Sequence, residues 1–218
     1  MTAWELSLGL YPGFVIGARS YDNNTTWEHV LYIPFVELCL TIYKESDSFQ
    51  LKCIISDVDG KRYCVRERAQ LEEAADLLAR TTEKCTMLVN YLKTNEPNNE
   101  ITKRLVEGYN PKTIQETLPT SEHTAYSENK GEKIAFCLNK KKAENEKLID
   151  ESTLMFVAIH ELSHVMSKSI GHNSEFWENF KFLLENAKEF GIHQPVDYKE
   201  EPREYCGMKI HDNPYYDL

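Results

Sequence analysis

The pattern of apolar positions changes once along the chain, near residue 66. Before that point, apolar and β-branched residues form short blocks, as in residues 29–45, "HVLYIPFVELCLTIYKE". Residues 49–67, "FQLKCIISDVDGKRYCVRE", contain two further blocks around Asp59-Gly60, a dipeptide that favours a hairpin turn. We therefore predict a β-rich N-terminal module over residues 1–66, with a buried strand pair within residues 30–43.

After residue 66, apolar residues recur at steps of three and four, which predicts helices. A long helix begins near Ala69 and ends at "TNEPNNE", and a short one follows over Glu100–Glu107. Residues 110–133 lack a period and predict irregular structure. A short strand is expected at Ile134–Asn139.

Two more helices are predicted in the last third of the chain. Asp150 is a suitable N-cap for a helix from Glu151 to about Ile170, and Gly171 suits the left-handed position after its end. The next helix begins after Asn173 or Ser174 and ends at Gly191, and an extended tail follows. These elements predict an α+β fold with a second domain over residues 67–218.

Charge and cysteine usage narrow the possible partners. The net charge of -10 argues against direct binding to a nucleic-acid backbone. The most apolar run, residues 30–43, contains Pro34 and Glu37 and is shorter than the roughly 20 residues that a membrane span needs.

Six cysteines without a C-x-x-C pair, and the lack of a signal peptide, predict reduced thiols and an intracellular, non-secreted protein.

The candidate chemistry lies in residues 160–177, "HELSHVMSKSIGHNSEFW", where three of the seven histidines fall. His160 and His164 are one helical turn apart, about 40° around the axis and about 6 Å along it, so both imidazoles can reach one ion. Glu161 points away by about 100°, which suits a general base that acts on water. The pattern predicts one Zn²⁺ per chain.

A third ligand is needed, and the sequence offers two kinds. Gly171 can end the helix and let His172 turn back towards the first pair, which would leave one coordination position open, as in catalytic zinc sites. Alternatively, Glu175 or Glu178 on the following helix supplies a carboxylate.

These residues resemble the WLM and SprT-like zinc metallopeptidases, of the minigluzincin type, and above all the WLM-like metallopeptidases of large DNA viruses. The shared pattern is His160-Glu161-Leu162-Ser163-His164, then His172, then Phe176-Trp177, and a general likeness extends over about residues 56–212. The resemblance implies a small zincin-like domain with an active-site helix, supporting helices and a short mixed sheet. It also implies a location in the cytoplasm or nucleus of a host, or in a virion.

In this peptidase class an edge strand ahead of the metal helix holds extended substrate. The residues that the resemblance assigns to this role are Ile134, Ala135, Phe136, Cys137 and Leu138, although an interior strand is the alternative. The expected partner is a protein or peptide substrate.

The function predicted is therefore zinc-dependent peptide hydrolysis with Glu161 as the general base. Two alternatives remain: a zinc-binding scaffold without activity, and a zinc hydrolase that acts on a non-peptide bond. The sequence leaves the oligomeric state and the role of residues 1–66 open.

Overall fold

The fold comes from a computed structural model, which describes residues 4–10, 12–22, 26–43, 51–118, 120–141 and 147–217. The chain divides into two compact units, residues 1–49 and residues 50–218. The first unit is a sheet, and the second combines helices with short strands. The predicted α+β class with a β-rich N-terminus is confirmed, including the set of a central helix, supporting helices and a short mixed sheet.

The first unit is a four-stranded antiparallel sheet in the order β1-β4-β3-β2. Its strands are β1 (Trp4–Leu10), β2 (Gly17–Asp22), β3 (Thr26–Ile33) and β4 (Val36–Tyr43). A tight turn at Pro34-Phe35 joins β3 to β4, and Phe35 adopts a positive φ of 67° there. The predicted strand pair is present, but the prediction of burial is wrong: among its described side chains only Val30 is buried.

A hairpin of β5 (Leu51–Ile55) and β6 (Arg62–Arg66) opens the second unit. Gly60 supplies the left-handed residue of its turn, as predicted. The division between the units therefore falls earlier than the predicted boundary at residue 66. The reason is packing, because Tyr63 and Val65 lie in the hydrophobic core of the larger unit.

A buried polar network also fixes this hairpin. The Arg66 backbone N–H donates to the Glu116 carboxylate (2.6 Å), and its side-chain Nε–H donates to the Thr117 carbonyl (2.6 Å). Arg68 pairs with the same carboxylate. Buried charges are tolerated only when paired in this way, so the network ties β6 firmly to the neighbouring strand.

Four helices form the body of the larger unit: α1 (Leu71–Asn95), α2 (Glu100–Gly108), α3 (Glu151–Met166) and α4 (Ser174–Glu189). α3 contacts the other three helices and the sheet, so it lies at the centre. Its apolar run, residues 154–159, is buried throughout. None of the helices described is long and apolar enough to cross a membrane.

A three-stranded sheet lies beside α3 in the order β7-β9-β8. β7 (Ile114–Glu116) runs parallel to β9 (Lys133–Phe136), and β8 (Ala125–Glu128) runs antiparallel to it. The predicted strand at Ile134–Asn139 is present over its first three residues. The prediction of irregular structure for residues 110–133 is wrong where β7 and β8 form, because strands of three or four residues leave no readable period.

The C-terminal tail is a small hairpin of β10 (Arg203–Tyr205) and β11 (Met208–Ile210), followed by α5 (Pro214–Asp217). A disulfide joins Cys137 to Cys206, and another joins Cys53 to Cys64 across the first hairpin. The expectation of reduced thiols is wrong for these four cysteines. Cys39 and Cys85 are free.

Candidate metal centre

Helix α3 begins as its N-cap residue predicts. The Asp150 carboxylate accepts hydrogen bonds from the Thr153 backbone N–H (2.9 Å) and hydroxyl (2.8 Å). This cap satisfies a donor that the first turn would otherwise leave open. It fixes where the helix starts and, with it, the direction in which His160 and His164 point.

The helix ends at Met166, one turn before the predicted end near Ile170. Ser167 is extended, and side chains from other elements hold the last carbonyls. Arg104 Nε–H donates to the Met166 carbonyl (2.8 Å), and the Lys130 ammonium donates to the carbonyls of His164 (3.1 Å) and Ser169 (2.6 Å). These cations compete with helix continuation, which the local sequence alone would favour.

Lys130 reaches this helix end because two glycines let its turn come close. A Cβ on Gly131 would lie 2.2 Å from the Gly108 carbonyl oxygen, and one on Gly108 would lie 2.6 Å from Cγ1 of Val165. Gly131 also has a positive φ of 105°. Larger residues at these two positions would push the turn away from α3.

The turn between α3 and α4 is held by Glu175. Its carboxylate accepts from the backbone N–H groups of Lys168 (2.9 Å) and Ser169 (3.1 Å) and from the Ser169 hydroxyl (2.6 Å). Gly171 then takes the left-handed conformation (φ 84°) that the sequence predicts. The Trp177 indole N–H donates to the His172 carbonyl (3.1 Å), which fixes the last residue of the turn.

This turn brings His172 back to the two histidines on α3. Its Nε2 lies 3.0 Å from Nε2 of His160 and 3.2 Å from Nε2 of His164. Among the described residues, these three form the group of side chains whose ligand atoms could share a metal ion. The ring of Phe176 packs against all three imidazoles, with centroids 4.3 to 4.8 Å apart, and limits their rotation.

The donor set fits zinc. Nitrogens bound at 2.0–2.1 Å to one tetrahedral ion lie about 3.3 Å apart, close to the two separations observed. Hydrogen bonding alone explains the cluster poorly, because His172 Nε2 can either donate or accept and cannot serve two neighbouring nitrogens equally well. Three neutral imidazoles leave a tetrahedral ion one position for water or substrate.

Burial keeps these imidazoles in the neutral form that binds metals. It lowers the pKa of His160 to about 3 and that of His164 to about 4. His172 adds to both shifts, and Lys130 adds to that of His164. Burial also lowers the pKa of His172. At neutral pH the three nitrogens can therefore offer lone pairs without first losing a proton.

Glu161 lies beside this cluster in a different environment. Its side chain is buried, and its carboxylate has no hydrogen-bond partner within the described part of the chain. Burial raises its pKa to about 8. The carboxylate therefore lies beside three converging imidazoles, in surroundings that favour its protonated form.

The two carboxylates considered as third ligands do not join the cluster. Glu175 is engaged in the turn, and its hydrogen bonds lower its pKa to about 2. Glu178 is exposed on α4 and is absent from the described group of possible ligands.

The strand expected to bind substrate, β9, lies in the middle of its sheet and not at an edge. Ile134, Ala135, Phe136, Cys137 and Leu138 are all buried, and β9 is paired on both sides. The predicted edge role is therefore wrong for this segment, since a central strand has no free backbone groups to offer. β7, which was not predicted from the sequence, pairs in parallel with the second edge of β9.

The strand that does border the site is β8. It pairs with β9 on one side and has no second strand partner among the described residues. Two hollows adjoin it and meet at Ala125, His160, Glu161 and His172. The first hollow, about 520 Å³, is lined further by His123, Tyr126, Ser127, Asn129 and Lys130.

The second hollow, about 380 Å³, is more apolar. Its walls come from α3, α4 and the C-terminal hairpin, and include Phe156, Val157, Trp177, Phe180, Met208 and Ile210. The Cys137–Cys206 disulfide and the Tyr205 hydroxyl, which accepts from the Cys137 N–H (3.1 Å), attach this hairpin to the sheet. The hairpin was missed in the sequence because each of its strands has three residues.

Comparison with known proteins identifies viral proteins of similar sequence. No family model matches the chain. It is 30% identical over 187 residues to the uncharacterized protein R325 of Acanthamoeba polyphaga mimivirus, which covers 84% of this chain and 93% of that protein. This chain belongs to the same family as the mimivirus protein.

Shorter matches link the family to two more viruses. Protein 136R of Invertebrate iridescent virus 6 is 33% identical over 73 residues, which are 34% of this chain and 40% of that protein. Protein 042R of Invertebrate iridescent virus 3 is 36% identical over 64 residues, 29% of this chain and 39% of that protein. Among solved structures, Wss1 from Saccharomyces cerevisiae is similar with a TM-score of 0.42 and 17% identity, over 57% of this chain and 86% of that one.

Proposed function

We propose that this protein is a zinc-dependent metallopeptidase of the WLM and SprT-like group. The observation that carries the proposal is the convergence of three imidazole Nε2 atoms, two on α3 and one returned by a glycine turn, with separations that suit one tetrahedral ion. His160, His164 and His172 would hold the zinc. When bound, zinc supplies Lewis acidity, which polarises a carbonyl group and makes water more acidic.

Glu161 is the proton carrier in this proposal. Its carboxylate accepts a proton from the attacking water and delivers it to the nitrogen of the leaving amine. Burial favours the protonated acid, whereas a nearby cation favours the carboxylate. A group balanced between these two influences can move a proton in both directions during one turnover.

Strand β8 is the element proposed to hold substrate. Its second edge has no strand partner within the described residues, and it borders both hollows. A peptide that adds antiparallel to β8 would run from the first hollow, across the three histidines, to the second hollow. Two hollows that meet at the cluster suit an extended chain better than a small molecule.

The test uses the full chain, reconstituted with zinc, and casein as an unfolded substrate. We expect about one zinc per chain and cleavage that a chelator abolishes and added zinc restores. His160→Ala should lose both zinc and cleavage. His123→Ala is the control for zinc content, because His123 lines the first hollow but lies outside the cluster.

Three outcomes would contradict the proposal. Protein without zinc under zinc-replete conditions removes the metal centre altogether. Zinc-loaded protein that leaves casein intact favours the scaffold alternative. Hydrolysis of a small ester without any cleavage of casein favours a hydrolase for non-peptide bonds.

A further inference from the structure

The N-terminal sheet separates apolar and polar residues onto opposite faces. Residues directly opposite each other in an antiparallel sheet share a face. The register places Leu8, Leu38, Leu31 and Ala18 in one row across the four strands. We call the face that contains this row the apolar face.

Three further rows belong to the apolar face. They are Leu6-Leu40-His29-Ser20, Leu10-Val36-Ile33 and Trp4-Ile42-Trp27-Asp22. Charge enters this face only at one corner, through Asp22, among its described residues. The opposite face carries Glu5, Glu28, Glu37 and Arg19.

The apolar face is exposed. The exposed fraction is 68% for Trp4, 60% for Leu6, 66% for Leu8 and 80% for Leu10, and it is 47% for Leu31 on the third strand. The opposite face, in contrast, contains the buried Val30. A sheet gains stability by burying one face, so an apolar face in this state indicates a missing partner layer.

The larger unit does not offer a matching surface among its described residues. Two of its exposed large apolar side chains lie in the first hairpin, and the others lie singly on separate elements. The full set is Ile55, Val58, Met87, Leu118, Ile170, Phe190, Met208 and Tyr216. A contiguous apolar sheet face needs a contiguous apolar partner. The apolar face of a second copy of this chain is such a surface.

We propose that the apolar faces of two copies of this chain pack against each other, forming a homodimeric β-sandwich. Two sheets pack face to face at about 10 Å with their strands roughly aligned. A symmetric dimer brings each face against itself, which is favourable only when the face carries little charge. The apolar face meets this condition, although each chain has a net charge of -10.

The size of the face sets the expected affinity. Strands about 4.8 Å apart, with about seven residues at about 3.3 Å each, give a face of about 19 by 23 Å. Two such faces cover about 900 Å² in flat projection, and side-chain relief adds to this. The total lies near the lower bound of about 1,000 Å² for a specific interface, so we expect a dimer that dissociates on dilution.

The test is sedimentation velocity of the full chain over about 1 to 100 µM, the range in which such a dimer should dissociate. We expect wild type to sediment as a dimer at the upper end. Leu8→Glu should raise the dissociation constant at least about 100-fold, because the dimer would bury two added charges. The matched control is Ser7→Glu, which adds the same charge at the adjacent residue on the opposite face and should leave the dimer intact.

Folding is checked by far-UV circular dichroism and zinc content. If Leu8→Glu fails to fold, Leu8→Gln replaces it, with a weaker but still measurable loss of dimer. A monomeric wild type at the highest concentration overturns the proposal and leaves the face to the larger unit of the same chain or to another partner. A dimer that tolerates both Leu8 substitutions also overturns it, because the interface must then lie elsewhere.

Discussion

Two regions flank the three histidines, and each contributes one glutamate. In the turn after α3, Glu175 accepts three hydrogen bonds and lies 3.5 Å from Arg104, and these contacts hold its pKa at about 2. On α3 itself, Glu161 is buried without a hydrogen-bond partner among the described residues, and burial raises its pKa to about 8.

From this difference we propose a separate task for each glutamate. Glu175 uses its carboxylate to hold the backbone that presents His172, so it is a positioning residue. Glu161 lines both hollows and its carboxylate has no described hydrogen bond, so it is the group that we propose for proton transfer. The same residue type therefore supports the centre in one region and is proposed to carry out the chemistry in the other.

Glu161→Gln tests the proposed chemical role of Glu161 and should have the largest effect. The amide keeps the shape but cannot take a proton, so we expect casein turnover to fall by about 10²- to 10⁴-fold. Zinc content should remain at about one per chain, because Glu161 is not among the ligands. Turnover and zinc are measured on the same preparation, and unchanged turnover would refute the role of Glu161.

Glu175→Gln tests the proposed role of Glu175 in positioning His172. The amide retains one acceptor oxygen, and its NH₂ group faces a backbone N–H, of Lys168 or of Ser169, that the carboxylate accepted from. We expect zinc affinity to fall by about 10- to 100-fold, the usual effect of losing a residue that orients a metal ligand.

With saturating zinc, the kcat of Glu175→Gln should return close to wild type. A competition titration with a chromophoric chelator measures the affinity. Loss of kcat at full zinc occupancy would mean that Glu175 has a chemical role and that the two glutamates were wrongly distinguished.

Lys130→Met should give the smallest effect. It removes the ammonium that donates to the carbonyls of His164 and Ser169. Hydrogen bonds from charged groups contribute about 1.5 to 3 kcal/mol each, and water can replace part of this at a half-buried site. We therefore expect Tm to fall by a few degrees, about 2 to 6 °C, with zinc affinity reduced less than about tenfold.

Lys112→Met is the matched control, because Lys112 is exposed in the single 3-10 turn Pro111–Thr113 and no hydrogen bond from its ammonium is found among the described residues. Thermal melts of zinc-loaded protein measure both variants. Equal Tm values for the two would show that Lys130 does not support the end of α3.

The sequence predicted the convergence of the three histidines, because the signals for it are local. The cap at Asp150, the cap at Asn173 and the left-handed Gly171 each act within one turn of chain. Together they predict that His172 turns back towards α3, and contacts from Glu175 and Trp177 then fix the turn. The end of α3 was predicted one turn too late, because Arg104, Lys130 and Glu175 stop the helix through contacts from other elements.

The parts that the sequence did not predict depend on distant pairing or on a partner. β8 rather than β9 borders the site as an edge strand, because β7 pairs in parallel with β9. A strand of three residues is too short for its sequence to indicate which strand it pairs with. In the N-terminal sheet, blocks of apolar and β-branched residues predicted the strand pair β3 and β4 correctly, but burial depends on what covers the apolar face. Alternation identifies a face to be buried and cannot say which molecule buries it.

The central claim is that three histidines hold one zinc ion, and crystals of zinc-loaded protein measured on both sides of the zinc absorption edge test it most directly. The account predicts one anomalous peak per chain, about 2.0 to 2.1 Å from Nε2 of His160, His164 and His172, with no contribution from Glu175. A fully loaded crystal without a peak among these nitrogens, or with the peak at Glu175 in place of His172, would contradict it.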